Sequence, residues 1–384
     1  MTPRGAEGAA FGGMFLFGIV VALLGAVLPL VSAPLGLGLD AVGNLFVALN
    51  GAVLAGSLAF GLLVDRFGYR GALVGGPLLA GLALVLVAGA ETPVTLAGAV
   101  ALLGLGGSAL NSTTNILVAD LHPEPKAKAA ALNRLGAFFG VGALFLPFLI
   151  ATLLDRLGLS PILLGAAGLC LLGAVLSAVP SYPPAKQPDG LSLGEALALL
   201  RHPLVAVLGA LLFFQAGTEM LLCGYLTTFL TQETGAGVRA ASGVLAGYWT
   251  ALIAARALIG RVLMRVPALS LVPLMAAGAV VALVLATFAP GFYSAAVLLL
   301  LAAFALAGIV PTILGVAGAA VPKRTGAVFG LLFSPAVVGA AALPWLGGQL
   351  AAAFGVRIVL VLSAAGFAMV VGLALWAQRL NRTR

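Results

Sequence analysis

One carboxylate stands apart from the other acids of this 384-residue sequence. Glu219 lies near the middle of a long apolar run, about 203–230, where no water is at hand to stabilise a charge. A carboxyl group in such a place either takes up a proton or finds a cation. Arg256, inside the next apolar run, is the available cation. The chemistry this pattern can perform is reversible binding of an ion, a proton or Na⁺. The competing use is a structural Glu–Arg pair joining two helices.

Amide and aromatic side chains recur in similar runs. Asn111 and Asn115 are four apart, which puts them on one face of a helix. Asn133, Gln215, Tyr225, Trp249 and Gln349 extend the set. Amides donate and accept toward hydroxyls, and an aromatic ring packs on a pyranose face. The set suits binding of a neutral polyhydroxylated small molecule better than an anion, which would call for several buried Arg or Lys. Hydrogen bonding between helices is the alternative use of each residue.

Other chemistry is excluded by its missing parts. The sequence has no G-x-x-x-x-G-K-[ST], no H-E-x-x-H and no G-x-S-x-G in a strand–turn–helix context, so an enzyme is not expected. Cys170 and Cys223 both lie inside apolar runs, and His122 and His202 each precede a proline at a run's edge. Neither pattern is a disulfide framework or a metal site. No cofactor is expected beyond the coupling ion, H⁺ with Na⁺ as the alternative.

The elements that hold these residues follow from composition. The chain is 62% hydrophobic and 8% charged, with a mean hydropathy of +1.21, too little polar surface for a water-soluble fold. Apolar runs between charged or Gly/Pro breaks predict spans over 10–31, 41–63, 71–90, 94–119, 129–152 and 160–180. A second set covers 203–230, 241–264, 269–289, 293–319, 326–352 and 357–378. The first run is of full spanning length and is not read as a cleavable signal. The expectation is an all-α polytopic membrane protein of 12 transmembrane helices.

The net charge of +8 does not point to nucleic acid, because the basic residues stand singly or in pairs between runs. Fifteen of the 19 Lys and Arg fall on the side that carries both termini. The positive-inside rule makes that side cytoplasmic, in the cell inner membrane. The segment 181–202 opens with SYPPAKQPDG and continues as a short amphipathic stretch, which reads as a cytoplasmic linker. It separates a bundle over 1–180 from one over 203–384, and a monomer is expected.

The halves repeat one another. Gly142-Ala143-Leu144-Phe145-Leu146-Pro147 in span 5 matches Gly339-Ala340-Ala341-Ala342-Leu343-Pro344 in span 11, at an offset of 197. In both, a glycine follows the proline by eleven residues, Gly158 and Gly355. Repeated halves flanking a midplane site are the architecture of alternating-access carriers. The 12 helices are thus expected as two pseudo-symmetric six-helix bundles.

The loop after span 2 reads Gly61-Leu62-Leu63-Val64-Asp65-Arg66-Phe67-Gly68-Tyr69-Arg70. It resembles the cytoplasmic loop signature of the major facilitator superfamily, with Tyr69 where a basic residue is usual. The resemblance implies that Gly61, Asp65, Arg66, Gly68 and Arg70 act as a conformational gate. Two further stretches resemble the fucose/glucose-permease-like branch. One runs from Asn115 through Asn133 to Ala143; the other is Phe213 to Glu219, followed by Trp249 and Gly260-Arg261. Members of that branch often carry an acid in span 1; span 1 as read here has none, so coupling is not expected there. The resemblance implies a proton-coupled symporter of a sugar or similar neutral solute. An exporter of drugs or amphipathic, lipid-like compounds is the alternative within the class, and a non-transporting receptor the alternative outside it.

Overall fold

The computed structural model describes residues 3–184, 203–262, 266–320 and 325–382. Most of the expected linker, including its amphipathic stretch, lies outside the described residues. Every regular element among them is an α-helix, as a lipid solvent requires: only internal hydrogen bonds can satisfy the backbone there. The helices are α1 (Pro3–Val31), α2 (Leu39–Phe67), α3 (Tyr69–Ala88), α4 (Pro93–Leu121), α5 (Pro125–Leu157) and α6 (Leu159–Ala178). They continue as α7 (Pro203–Thr234), α8 (Val238–Val262), α9 (Ala268–Thr287), α10 (Phe292–Leu306), α11 (Ile309–Ala320), α12 (Thr325–Phe354) and α13 (Ile358–Arg382). They provide 12 stretches long and apolar enough to cross a membrane, α10 and α11 together forming the tenth.

One boundary differs in a way that matters. The first span runs Gly5–Val31 and takes in Glu7, so it does contain an acid. Apolarity alone starts the span later, but the helix itself begins at Pro3, a residue suited to a first turn because its missing N–H is not needed there.

The chain forms two compact units. Unit 1 comprises Met1–Gly38, Asn44–Pro188 and Gly237–Trp249; unit 2 comprises Leu39–Gly43, Asp189–Ala236 and Thr250–Arg384. In unit 1, α1 packs on α5 and α4, and α3 on α4 and α6. The start of α8 belongs to this unit, with Arg239 paired to Asp155 and its Nε donating to the Ala151 carbonyl at 3.0 Å. In unit 2, α7 packs on α12 and α13, and α9 on α13 and α10. The partnerships α1–α5, α3–α4 and α3–α6 thus recur as α7–α12, α9–α10 and α9–α13.

The repeated motif has the same physical use in both units. A Cβ on Gly142 would strike the Phe15 carbonyl of α1; a Cβ on Gly339 would strike the Phe213 carbonyl of α7. Glycine is needed because the two backbones touch. The trailing glycines also match: Gly158 and Gly355 close α5 and α12 with φ of 75° and 84°, a region that side chains disfavour. The sequence repeat is therefore a repeat of helix crossings and helix ends.

Unit 2 breaks its tenth span between α10 and α11. Pro311 has no N–H to offer the carbonyl four residues back, that of Ala307. The Arg256 Nε on α8 supplies the missing donor at 3.2 Å. Ile259, one turn along α8, lies against Gly308 at the same break. A backbone defect in one helix thus fixes a guanidinium of another.

Candidate functional site

In unit 2 the site grows from α7. Its apolar length buries Gln215 completely and leaves Glu219, one turn on, part-buried. Gln215 Nε2 donates to Glu219 Oε2 at 3.2 Å. Arg256, held on the Ala307 carbonyl, acts electrostatically on that carboxylate. Among the described residues the two are not joined by an ion pair within 4.0 Å. The arginine is therefore a nearby field rather than a clasp. Among the described residues Gln215 Oε1 and Thr218 Oγ1 are buried without a hydrogen-bond partner, so one turn of α7 presents three kinds of oxygen donor.

Tyr225 is fully enclosed, and its hydroxyl donates to the Pro344 carbonyl of α12 at 3.2 Å. Here it ties α7 to α12. Gln349, also on α12, donates to the Asp40 carbonyl in the first turn of α2 at 3.4 Å. These hydrogen bonds run to backbone carbonyls rather than to Glu219.

In unit 1, Asn115 Nδ2 donates to the Asn111 carbonyl at 2.8 Å and to Asn111 Oδ1 at 3.1 Å, as the four-residue spacing on α4 requires. Both amides are part-buried, whereas Asn133 on α5 is exposed. Trp249 is enclosed and stands edge-on to Phe139 and to Tyr248, each 5.8 Å away. Its indole N–H has no hydrogen-bond partner among the described residues. Phe17 completes this aromatic group from α1, 5.6 Å from Phe139.

The loop signature is partly described. Gly61 lies on α2, and the side chains of Asp65 and Arg261 lie outside the described residues. Gly68 makes the turn between α2 and α3 with φ of 79° and ψ of −179°, where a Cβ is strained. Arg66 lies over the Phe67 ring at 5.3 Å, and Arg70 Nη2 donates to the Pro180 carbonyl at 3.1 Å. Tyr69, the departure from the usual basic residue, is buried and its phenol donates to Asp120 of α4.

Sequence reading missed a third polar group. Glu7 Oε1 accepts from His122 Nε2 at 3.2 Å and from Arg134 Nη2 at 3.0 Å. Glu7 precedes the apolar run and His122 follows one, so neither looked buried; only the fold brings α1, the end of α4 and α5 together.

Comparison with known proteins fits this architecture. The human protein "Solute carrier family 67 member A1" is 35% identical over 156 residues, 40% of this chain but only 36% of that protein's length. Among solved structures, a bacterial homologue of the human lysosomal transporter Spinster superposes with a TM-score of 0.80 at 17% identity, covering 98% of this chain and 97% of that one. A mutant of the nucleoside transporter NupG gives 0.79 at 14% identity, covering 98% and 99%. A mutant of the E. coli fucose:proton symporter FucP gives 0.69 at 16%, covering 97% and 98%. At such identities the likeness is one of fold. The Major Facilitator Superfamily profile itself matches residues 10–221, more than half of the sequence, and the chain belongs to that superfamily of multi-pass membrane transporters.

Proposed function

We propose that this chain is a secondary active carrier that couples proton movement to import of a sugar or similar neutral polar solute by alternating access. The observation that carries the reading is the α7 carboxylate. Glu219 sits in an apolar helix with one amide donor and a guanidinium nearby that is not clasped to it, so proton binding changes its charge without breaking an ion pair. A group that can be charged or neutral at little structural cost suits an ion that must bind and leave once per cycle. Na⁺ is the alternative occupant, for which Gln215 Oε1 and Thr218 Oγ1 would supply further oxygens.

The cargo assignment rests on amides rather than charges. Asn111 Nδ2 and Asn115 Oδ1 retain donor and acceptor capacity toward hydroxyls, and Asn133 and Gln349 add to it. The names of NupG and FucP, a nucleoside transporter and a fucose:proton symporter, accord with a neutral hydroxylated cargo. The aromatic group of Phe17, Phe139, Tyr248 and Trp249 favours a second reading, export of amphipathic compounds. We further propose that the protein is a monomer in the cell inner membrane with both termini cytoplasmic, on the bias of Lys and Arg. Thermal stabilisation of purified protein by hexoses, nucleosides and hydrophobic cations tests the cargo. Stabilisation by a hexose or nucleoside supports the reading; stabilisation by hydrophobic cations alone overturns it.

A further inference from the structure

We propose that Glu7, His122 and Arg134 form a proton-binding site in unit 1, separate from Glu219, with the His122 imidazole as the group that loads. The proposal stands whether or not Glu219 couples transport. Both donors converge on one oxygen, Glu7 Oε1, from His122 Nε2 at 3.2 Å and Arg134 Nη2 at 3.0 Å. The Glu7 and His122 side chains are only 19% and 24% exposed, so water screens them weakly, whereas Arg134 at 59% reaches outward.

The hydrogen-bonding arithmetic fixes where the proton goes. A ring nitrogen bonded to a carboxylate must present its hydrogen, so Nε2 is protonated while the contact is made. The second proton then enters at Nδ1. With His122 neutral, Glu7 and Arg134 cancel; with His122 loaded, the three groups carry one net positive charge. His122 is also the C-cap residue of α4, where unpaired carbonyls attract positive charge.

Among the described residues, the surroundings offer few competing charges. On α3, Tyr69 is bonded to Asp120 and Arg70 to the Pro180 carbonyl. On α4 the described acid is Asp120 itself; at the near end of α5 stand Glu124, its N-cap, and Lys128, while Asp155 and Arg156 lie at its far end. Cys170 is the titratable group on α6. One turn along each helix, Phe11 stacks on Phe138 at 4.8 Å, with the Arg134 guanidinium 5.8 Å above Phe11. Loading His122 therefore changes the charge balance where α1 and α5 meet, and gives proton occupancy a means of altering that contact.

Because the sequence holds two histidines, His202→Gln leaves His122 as the single imidazole. Its ring resonances, followed in histidine-labelled protein in lipid nanodiscs between about pH 5 and 8, report the site without any transport assay. Glu7→Gln is expected to move the titration midpoint to lower pH, and Arg134→Gln to higher pH. Opposite movements support the site; no movement, or movement in one direction for both variants, overturns it. In proteoliposomes with pH set separately on each side, His122→Gln should flatten the dependence of uptake on the pH of one side. A wild-type pH profile in that variant also counts against the proposal.

Discussion

The motif repeated between the halves can be tested by one methyl group at a time. In Gly142→Ala the new Cβ would stand 2.7 Å from the Phe15 carbonyl carbon and 3.0 Å from its Cα. In Gly339→Ala it would stand 2.8 Å and 3.1 Å from the same atoms of Phe213. Ordinary carbon contacts are about 3.5–4.0 Å, so each helix pair must open by roughly 1 Å, giving up dispersion along the crossing. Overpacking of this kind costs about 1–3 kcal/mol. At about 2–4 °C per kcal/mol for a unit of this size, the midpoint should fall by several degrees.

Gly165→Ala on α6 is the internal control. Among the described residues nothing lies within 4 Å of its Cβ position, and alanine favours a helix by about 1 kcal/mol. The assay can be made unit-specific, because Cys170 of unit 1 and Cys223 of unit 2 are both buried and free. A thiol-reactive fluorophore reports their exposure on heating. Cys223→Ala leaves the unit 1 reporter for Gly142→Ala, and Cys170→Ala leaves the unit 2 reporter for Gly339→Ala. If either glycine variant melts at or above its parent, the close-contact account of the motif is refuted.

Three further outcomes follow. Gly158→Ala, at φ 75° and ψ 175°, should cost about 1–3 kcal/mol in the same melting assay, with no change in what the protein binds. Pro311→Ala returns an N–H to the Ala307 carbonyl and should displace Arg256, raising the melting temperature while slowing uptake; unchanged turnover would separate the break from function. Asn115→Ala should weaken substrate affinity about fivefold, the worth of one hydrogen bond of about 1 kcal/mol, with maximal rate retained; an unaltered KM removes Asn115 from the cargo site.

Spans were legible because the bilayer imposes one length and one composition on each, and the structure moves their ends by only a few residues. The repeat was visible as letters, but its meaning was not. That Gly142 and Gly339 touch carbonyls of Phe15 and Phe213 depends on crossings between segments more than a hundred residues apart. The same limit hid Glu7, whose partners lie 115 and 127 residues away. Glu219 stood out because a charge in an apolar run is visible one residue at a time. Arg256 was found for that reason too, but its tether to Ala307 required seeing that Pro311 frees a carbonyl. Tyr225 and Trp249 show the converse: their residue types were legible, but their enclosure by neighbouring helices was not.

The central claim is that Glu219 couples an ion gradient to transport. Its most direct test is accumulation of the stabilising solute in proteoliposomes under an imposed proton gradient, with counterflow exchange measured in the same vesicles. Glu219→Gln keeps the hydrogen-bonding shape and removes the charge change. The account predicts that this variant exchanges solute yet no longer accumulates it against a gradient. Full gradient-driven accumulation by Glu219→Gln would contradict the account.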